Sequence, residues 1–217
     1  MSVLRPSQAD LLRLAVETGA LLFGDFVTKG GRATPYFFNS SKLCSGRGSL
    51  VAGQALAEAA IASGLRFNML FGAAYKGIPL AAITSLALVQ GYGLDIPYAY
   101  NRKERKDHGE GGAVVGPELE GRVLIVDDVL TAGTSAREAI GLVRDAGAEP
   151  VGLLLLLDRQ ERGSSQLSAA GELAGRHGIS VCCVFGLDSL LSAMRATGME
   201  PEAQERIAAY RKQYGAS

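Results

Sequence analysis

The chain has 217 residues, 47% of them hydrophobic, so it is long enough to bury a sizeable core as one α/β domain but too short for two full domains. Basic and acidic residues both total 22, so net charge gives no argument for nucleic acid or acidic membranes as partners, and we expect neither; any positive charge that matters must be local. The amino terminus carries no basic and apolar leader, and no apolar run reaches the length of a membrane span, so we expect a soluble, cytoplasmic protein. The cysteines Cys44, Cys182 and Cys183 match neither a disulfide framework nor a zinc site.

The first part of the chain predicts a helix and a hairpin. Apolar residues at helical spacing predict a helix from Ser7 to Thr18, with Ser7 and Asp10 as a capping box. Two β-prone runs, 21–28 and 35–40, flank the segment KGGRAT and predict a β-hairpin outside the main sheet. We call residues 1–45 the hood.

The second strand of this hairpin contains Tyr36, Phe37 and Phe38. Three consecutive aromatic residues cannot all face one core, so at least one ring is expected to be available to cover a flat ligand. The alternative is a hydrophobic lid that packs on the first helix.

An alanine-rich helix, 48–63, precedes a strand at 68–72 and a helix at 78–90. Between the strand and the second helix, Lys76 lies at the carboxyl end of a parallel strand, where it suits a diphosphate, and Gly72 and Gly77 allow close approach of the backbone. An exposed surface lysine is the alternative.

A third strand, 96–100, leads into a segment, 101–112, that is almost entirely charged residues and glycine. It reads as a mobile loop whose cations suit a lid over a polyanion, with His108 as a titratable group. A solvated, disordered turn is the alternative. The cations are Arg102, Lys103, Arg105 and Lys106.

The run Val123–Val126 predicts a strand buried on both faces that ends near Asp127 and Asp128. A small polar loop follows, and Ser135 with Glu138 predicts the capping box of the next helix. Amides at a helix start attract phosphate, whereas two carboxylates repel it unless they bind hydroxyls or a metal ion. A ribose 5-phosphate satisfies both conditions.

A leucine-rich strand, 150–157, ends at Asp158 and Arg159. Arg159 could pair with a carboxylate or an imide edge of a base, or instead with a neighbouring acid. A helix at 165–177, a strand at 180–185 and two terminal helices complete the chain. The predicted fold is α/β, with a mostly parallel twisted sheet flanked by helices in a core at 46–186, a hood at 1–45 and carboxyl-terminal helices at 187–217.

The segment VDDVLTAGT, 126–134, resembles the signature of the type I phosphoribosyltransferases, which bind 5-phosphoribosyl 1-diphosphate (PRPP). Four further segments resemble the orotate phosphoribosyltransferases of that family, although Ala73 stands where proline is usual. They are KGGR with PYFFN, AYKG, RKERKDHGEG at 102–111, and DRQER. The resemblance implies the type I fold and a glycosyltransferase that joins orotate to the phosphoribosyl group of PRPP, giving orotidine 5′-monophosphate and diphosphate in pyrimidine synthesis.

The resemblance also implies roles for individual residues. Mg²⁺ would be held mainly by PRPP and water with no direct side-chain ligand, and a homodimer would bring the 102–112 loop to the neighbouring site. The catalytic residues would be Lys106, His108, Asp127 and Asp128, and the orotate-binding residues Phe37, Phe38, Thr131 and Arg159. PRPP would contact Lys29, Tyr75, Lys76, Arg102, Lys103, Lys106, His108, Asp127, Asp128, Val129, Leu130, Thr131, Ala132, Gly133, Thr134 and Ser135.

Three other functions are possible from the sequence. A PRPP-sensing regulator would keep the phosphate loop but has no need for the charged lid. A purine phosphoribosyltransferase is disfavoured by the aromatic hood and Arg159. A phospho-acceptor receiver domain is disfavoured because its acidic pair ends the first strand of a much shorter chain.

Overall fold

The structure is a computed structural model that describes residues 4–28, 31–106, 112–130, 133–163 and 165–216. The helices are α1 (Pro6–Glu17), α2 (Gly46–Ala62), α3 (Gly77–Tyr92), α4 (Thr134–Asp145), α5 (Ala169–His177), α6 (Leu187–Thr197) and α7 (Pro201–Tyr214). The strands are β1 (Leu21–Val27), β2 (Ala33–Phe38), β3 (Met69–Gly72), β4 (Tyr98–Lys106), β5 (Gly112–Val115), β6 (Arg122–Leu130), β7 (Glu149–Asp158) and β8 (Ser180–Gly186).

Six strands form the main sheet, in the order β5-β4-β3-β6-β7-β8. In this spatial order, each neighbouring pair from β4 to β8 is parallel, and the edge strand β5 pairs antiparallel with β4. The predicted α/β class with a mostly parallel sheet is therefore confirmed.

Two apolar clusters cover the two faces of this sheet. On β6, Leu124 and Val126 pack into the cluster formed with α1, α2, α3, α6 and α7, while Val123 and Ile125 pack into the cluster formed with α4 and α5. All four side chains are fully buried. This is the burial expected of a continuous aliphatic run in a parallel strand, so the prediction for 123–126 is confirmed.

The hairpin β1-β2 forms a separate two-stranded antiparallel sheet, as predicted. It packs on α1 and also on the last helix, α7, where the rings of Tyr36 and Tyr210 meet edge to face at 6.1 Å. The carboxyl-terminal helix α7 therefore packs directly against the hood hairpin.

Two strand ends differ from their predictions. Strand β6 does not end at Asp127 and Asp128 but continues to Leu130, because β7 offers partners as far as Asp158. Strand β4 continues through the charged segment to Lys106, because β5 folds back and pairs with it. The first part of the predicted loop is thus one arm of a hairpin that extends from the sheet edge.

Three helix starts were also wrong. Helix α1 begins at Pro6, and the Gln8 side chain, rather than Asp10, accepts a hydrogen bond from the cap at Arg5 N (3.0 Å). Helix α4 is capped by Gly133 in the left-handed conformation (φ 70°), without the Ser135 capping box. Helix α5 begins at Ala169 instead of 165, because the Ser168 hydroxyl satisfies an amide of its first turn.

Within the described ranges, every helix is too short or too polar to cross a lipid bilayer.

Candidate functional site

Most of the described site residues meet at one edge of the main sheet. Strands β3, β6 and β7 are parallel neighbours, so their carboxyl ends lie side by side. Lys76 follows β3, Asp127 and Asp128 lie near the end of β6, and Arg159 follows β7. Ligands of parallel α/β sheets bind at this edge, and here it combines both charge signs.

Asp128 is a buried carboxylate with two polar partners. Only 7% of the residue is exposed, and its Oδ2 accepts hydrogen bonds from Lys76 Nζ (2.8 Å) and Ser40 Oγ (2.7 Å). A buried carboxylate is costly without such partners. The Lys76 side chain is 46% exposed, so the ion pair holds an ammonium group at the surface of the site.

Asp127 occupies a different environment from its neighbour, since successive strand residues point to opposite faces. Its Oδ1 accepts a hydrogen bond from Asp128 N (2.8 Å). Burial, and then the charge of Asp128, raise the pKa of Asp127 from its ordinary 3.8 to about 7, and Lys76 only partly opposes them. Asp127 is therefore partly protonated at neutral pH and ready to accept a hydrogen bond that stabilises its charged form.

The turn after β3 is fixed by backbone hydrogen bonds. Ala73 N donates to Val126 O (3.1 Å), Ala74 N to Asn101 Oδ1 (2.8 Å) and Gly77 N to Ala73 O (2.8 Å). The peptide bond between Ala74 and Tyr75 is cis. A proline at position 73 would lack the donor for the first bond, so Ala73 holds this turn by a contact that proline cannot make.

Gly72 and Gly77 serve close packing of the backbone. A Cβ on Gly77 would lie 2.2 Å from Val126 O, and one on Gly72 would lie 2.6 Å from Gly77 O. The absence of a side chain at these two glycines therefore lets the backbone of the turn pack closely against the end of β3 and against β6.

Tyr75 and Lys103 lie together at the mouth of the turn. Tyr75 is 67% exposed, and Lys103 Nζ, from β4, lies 5.9 Å from the centre of its ring. Arg102 precedes Lys103 on the same strand. Lys103, one of the predicted PRPP-binding cations, therefore lies beside the turn that carries Lys76.

The small polar loop after β6 is described in part. Thr131 and Ala132 lie outside the described residues. Gly133 caps α4, Thr134 is exposed and Ser135 is half-buried at the first turn of the helix. The free amides of this helix start provide the chemistry expected of a phosphate site.

The predicted contacts of Val129 and Leu130 with PRPP cannot come from free side chains. Leu130 is 6% exposed and packs in the cluster under α4, and Val129 packs against the opposite cluster. The side chain of Leu130 is therefore turned into the core, and that of Val129 is half-buried.

The three hood aromatics have separate environments, as their alternation on β2 requires. Phe37 is 44% exposed and lies 5.6 Å from Phe26, centre to centre, whereas Tyr36 is fully buried and Phe38 packs against the core. The expectation of an available ring is met by Phe37. Lys29 lies outside the described residues.

Arg159 pairs with a neighbouring acid, the alternative that the sequence left open. Its Nη2 lies 2.6 Å from Glu161 Oε1, and its guanidinium lies over the ring of Tyr36 at 4.4 Å. Nη2 also donates to Thr34 Oγ1 (3.1 Å) and approaches Tyr210 Oη (3.5 Å). These contacts fix the side chain at the strand end, with the guanidinium between the hood and α7.

The two remaining catalytic predictions, Lys106 and His108, fall at the end of β4 and after it. The backbone of Lys106 belongs to β4, whereas its side chain and all of His108 lie outside the described part.

A metal ion at this edge would depend on ligands from the substrate. In the described part of the chain, no group of three or more His, Cys, Asp or Glu residues could hold a metal ion. Asp127 and Asp128 offer adjacent carboxylates of the hard oxygen type that Mg²⁺ prefers, and Asp128 already has two partners. This donor set fits an ion whose other ligands are substrate oxygens and water.

Several residues around the site carry no signal in the sequence. Ser40, Asn101 and Thr34 are short polar residues outside any motif, yet each bonds to a site residue or to the turn. Tyr210 lies in a terminal helix that is remote in sequence from every motif. Only Glu161 could have been found, since it stands two positions after Arg159.

Comparison with known proteins gives a consistent family. Residues 44–169 match the phosphoribosyl transferase domain. The chain is 49% identical to the orotate phosphoribosyltransferase of Thioalkalivibrio sulfidiphilus over 96% of this chain and 98% of that protein. It is 47% identical to the orotate phosphoribosyltransferase of Pseudomonas aeruginosa, with the same coverage of both chains.

Solved structures resemble the fold over most of its length. The orotate phosphoribosyltransferase of Francisella tularensis superposes with a TM-score of 0.83 at 33% identity, covering 94% of this chain and 98% of that one. The Mycobacterium tuberculosis orotate phosphoribosyltransferase in complex with PRPP gives a TM-score of 0.64 at 26% identity, covering 85% of this chain and 99% of that one.

Proposed function

We infer the roles of the site residues from the premise that the chain belongs to the orotate phosphoribosyltransferases, which transfer the phosphoribosyl group of PRPP to orotate. The products are orotidine 5′-monophosphate and diphosphate, and the reaction is a step of pyrimidine synthesis. Orotate attacks the anomeric carbon as diphosphate departs. Positive charge builds on the sugar ring and negative charge on the leaving group, and the protein must stabilise both.

The observation that carries this proposal is the unlike pair of carboxylates at the end of β6. Asp128 is bonded to Ser40 and Lys76, whereas Asp127 accepts a hydrogen bond from the backbone amide of Asp128 and has a pKa of about 7. Asp127 is therefore our candidate for accepting the ribose hydroxyls. Its negative charge, once so bound, also favours the cationic ring of the transition state.

Asp128 holds the diphosphate side of the site. Its ion pair with Lys76 places the ammonium group beside the turn 73–77, and Tyr75 with Lys103 extends the same surface. Lys76 and Lys103 would bind the departing diphosphate, together with Arg102, Lys106 and His108. This gives the leaving group a cationic environment although the whole chain has no net charge.

The 5′-phosphate of PRPP would bind the start of α4. Residues 131–135 supply hydroxyls and amides there, and Val129 and Leu130 contribute backbone only. The loop sequence itself contains no carboxylate that would repel the phosphate.

Orotate would lie between the hood and the end of β7. Phe37 offers an exposed ring for stacking, Arg159 a guanidinium for the carboxylate or the imide edge, and Thr131 a further polar contact. Lys29, from the hood, would contact PRPP. Phe38 packs inward against the core rather than covering the base, and the ring beside Phe37 is that of Phe26.

Mg²⁺ would be held mainly by PRPP oxygens and water, with Asp127 and Asp128 contacting the hydrated ion through water. Bound there, it would neutralise charge on the departing diphosphate.

We further propose a cytoplasmic homodimer in which the hairpin of β4 and β5 reaches the neighbouring site. The apolar residues exposed on and after α3 support a partner face, because such patches are uncommon on monomers. They are Leu86 (55%), Val89 (43%), Tyr92 (43%), Leu94 (40%) and Tyr98 (36%).

The test follows loss of the near-ultraviolet absorbance of orotate in a mixture of purified protein, orotate, PRPP and Mg²⁺. A reaction without metal is the control, and adenine and hypoxanthine serve as competing bases. We expect metal-dependent consumption of orotate alone. Thermal stabilisation by PRPP without turnover would refute the proposed reaction and indicate a PRPP sensor.

A further inference from the structure

A cluster of charged and aromatic residues lies behind Arg159, where the loop after β7 meets the hood and α7. Glu161 Oε1 accepts a hydrogen bond from Arg159 Nε (2.7 Å) and lies 2.6 Å from Arg159 Nη2. The Glu161 side chain is only 17% exposed and that of Arg159 only 11%. Charged groups with so little exposure are strongly oriented by their partners, because each loses much of its hydration.

Glu161 ties three distant parts of the chain together. The hydroxyl of Tyr210, on α7, donates to the same Oε1 at 2.7 Å, and Arg32, just before β2, lies 3.2 Å from Oε2. Both oxygens of Glu161 are therefore used. The rotamer of Glu161 is fixed from the hood side and from α7, independently of Arg159.

Arg159 is in turn held along one edge and one face. Glu161 contacts the Nε and Nη2 edge of the guanidinium, and Thr34 Oγ1 accepts a hydrogen bond from Nη2. The ring of Tyr36 covers one face of the guanidinium. Nη1 makes no hydrogen bond to any described residue. The network thus sets the plane of the guanidinium while leaving Nη1 available for a ligand.

The charge of the cluster suits an anionic ligand. Arg159, Arg32 and Glu161 are in direct contact and together keep one positive charge. Burial alone would lower the pKa of Arg159, but the neighbouring Tyr36 and Glu161 outweigh it and raise that pKa, so the guanidinium stays charged. Orotate carries a carboxylate, which a fixed and incompletely neutralised guanidinium favours.

We propose that Glu161 is a positioning residue for the base: it orients Arg159 toward orotate, and Tyr210 couples this orientation to the carboxyl-terminal helix. The inference rests on the proposed function, because it assigns Arg159 to the orotate site. It extends that function to α7, which contains no motif of the family signature.

A purely structural role for Glu161 makes a different prediction. If the cluster only fastens the hood to α7, its loss would lower stability and affect both substrates alike. If Glu161 positions Arg159, its loss falls on orotate and spares PRPP, whose diphosphate contacts lie at the turn 73–77 on another strand.

The test is steady-state kinetics of Glu161→Gln, which keeps the size of the side chain and removes its charge. We expect the KM for orotate to rise about tenfold and the KM for PRPP to change less than about twofold. Glu205→Gln is the matched control, because Glu205 is exposed on α7 and bonds to no described residue. It should leave both constants unchanged.

Tyr210→Phe is the second variant, in case Glu161→Gln does not fold. It removes one hydroxyl and keeps the ring against Tyr36, so we expect a rise of about threefold in the KM for orotate alone. Equal changes in both KM values, or none in either variant, would overturn the positioning role. Failure of the unaltered protein to consume orotate would instead refute the proposed function itself.

Discussion

The raised pKa of Asp127 means that this carboxylate destabilises the free protein at neutral pH, and Asp127→Asn tests this directly. Asparagine has the same shape, and its Oδ1 can still accept the hydrogen bond from Asp128 N. The substitution therefore removes the charge while keeping the local contact. We expect the variant to bind PRPP poorly yet to be more stable than the unaltered protein above pH 7.

The sign follows from proton linkage. The folded state holds the proton of Asp127 up to about pH 7, whereas the unfolded chain releases it near 3.8, so stability falls as pH rises through this window. At about 1.36 kcal/mol per pH unit, the penalty above pH 7 has an upper limit of about 4 kcal/mol. Since water and Lys76 relax around the charge, we expect Asp127→Asn to gain about 1–3 kcal/mol at pH 8 and almost nothing at pH 4.

The assay is urea unfolding at several pH values from 4 to 8.5, at one protein concentration because a dimer makes stability concentration-dependent. The gain should rise with pH and level off above about 7. Asp145→Asn is the control, because Asp145 is exposed at the end of α4 and bonds to no described residue. A gain that is the same at every pH, or a variant that is less stable at pH 8, would refute the reasoning.

Three further substitutions test other parts of the site. Lys76→Ala should raise the KM for PRPP by at least about tenfold. It should also lower the unfolding free energy by about 1–3 kcal/mol, because the buried carboxylate of Asp128 keeps its bond to Ser40 but loses the ammonium group; a loss of stability with unchanged kinetics would contradict the role in binding. Gly77→Ala places a Cβ 2.2 Å from Val126 O, so it should lower the unfolding free energy measured in urea by about 2 kcal/mol or more. An unchanged unfolding free energy would show that the turn can move to accommodate the added methyl group. Tyr36→Phe removes a buried hydroxyl that has no partner in the described part of the chain, and it should raise Tm by about 2–4 °C; a lower Tm would indicate a hidden partner.

The fold was predictable where apolar patterns are long. The aliphatic run at 123–126 predicts a strand buried on both faces, and in the structure its side chains are divided between the two clusters. The strand ends were not predictable, because they depend on the partner. Strand β6 passes through Asp127 and Asp128 because β7 is long enough to pair with it, and nothing within β6 itself records the length of β7.

The site shows the same division. The period of a strand alone predicts that Asp127 and Asp128 have unlike roles, but the partner that separates them, Ser40, lies 88 residues away from Asp128. Likewise Arg159 and an acid partner were both foreseeable, whereas Tyr210 reaches the pair from a helix with no motif. Local sequence therefore predicts the charged groups of the site, whereas the residues that bond to them depend on the tertiary fold.

The two carboxylates of β6 explain why this site is functional rather than structural. Stability alone would favour an apolar residue or an amide at position 127, since an ionised Asp127 next to Asp128 costs folding free energy at neutral pH. The cost is lowered only when hydrogen-bond donors or positive charge approach Asp127, and Lys76 is already committed to Asp128. A ribose supplies the donors, and the developing cation of the transition state supplies the charge. The buried charge of Asp127 that destabilises the free protein is therefore the same charge that stabilises the reacting sugar.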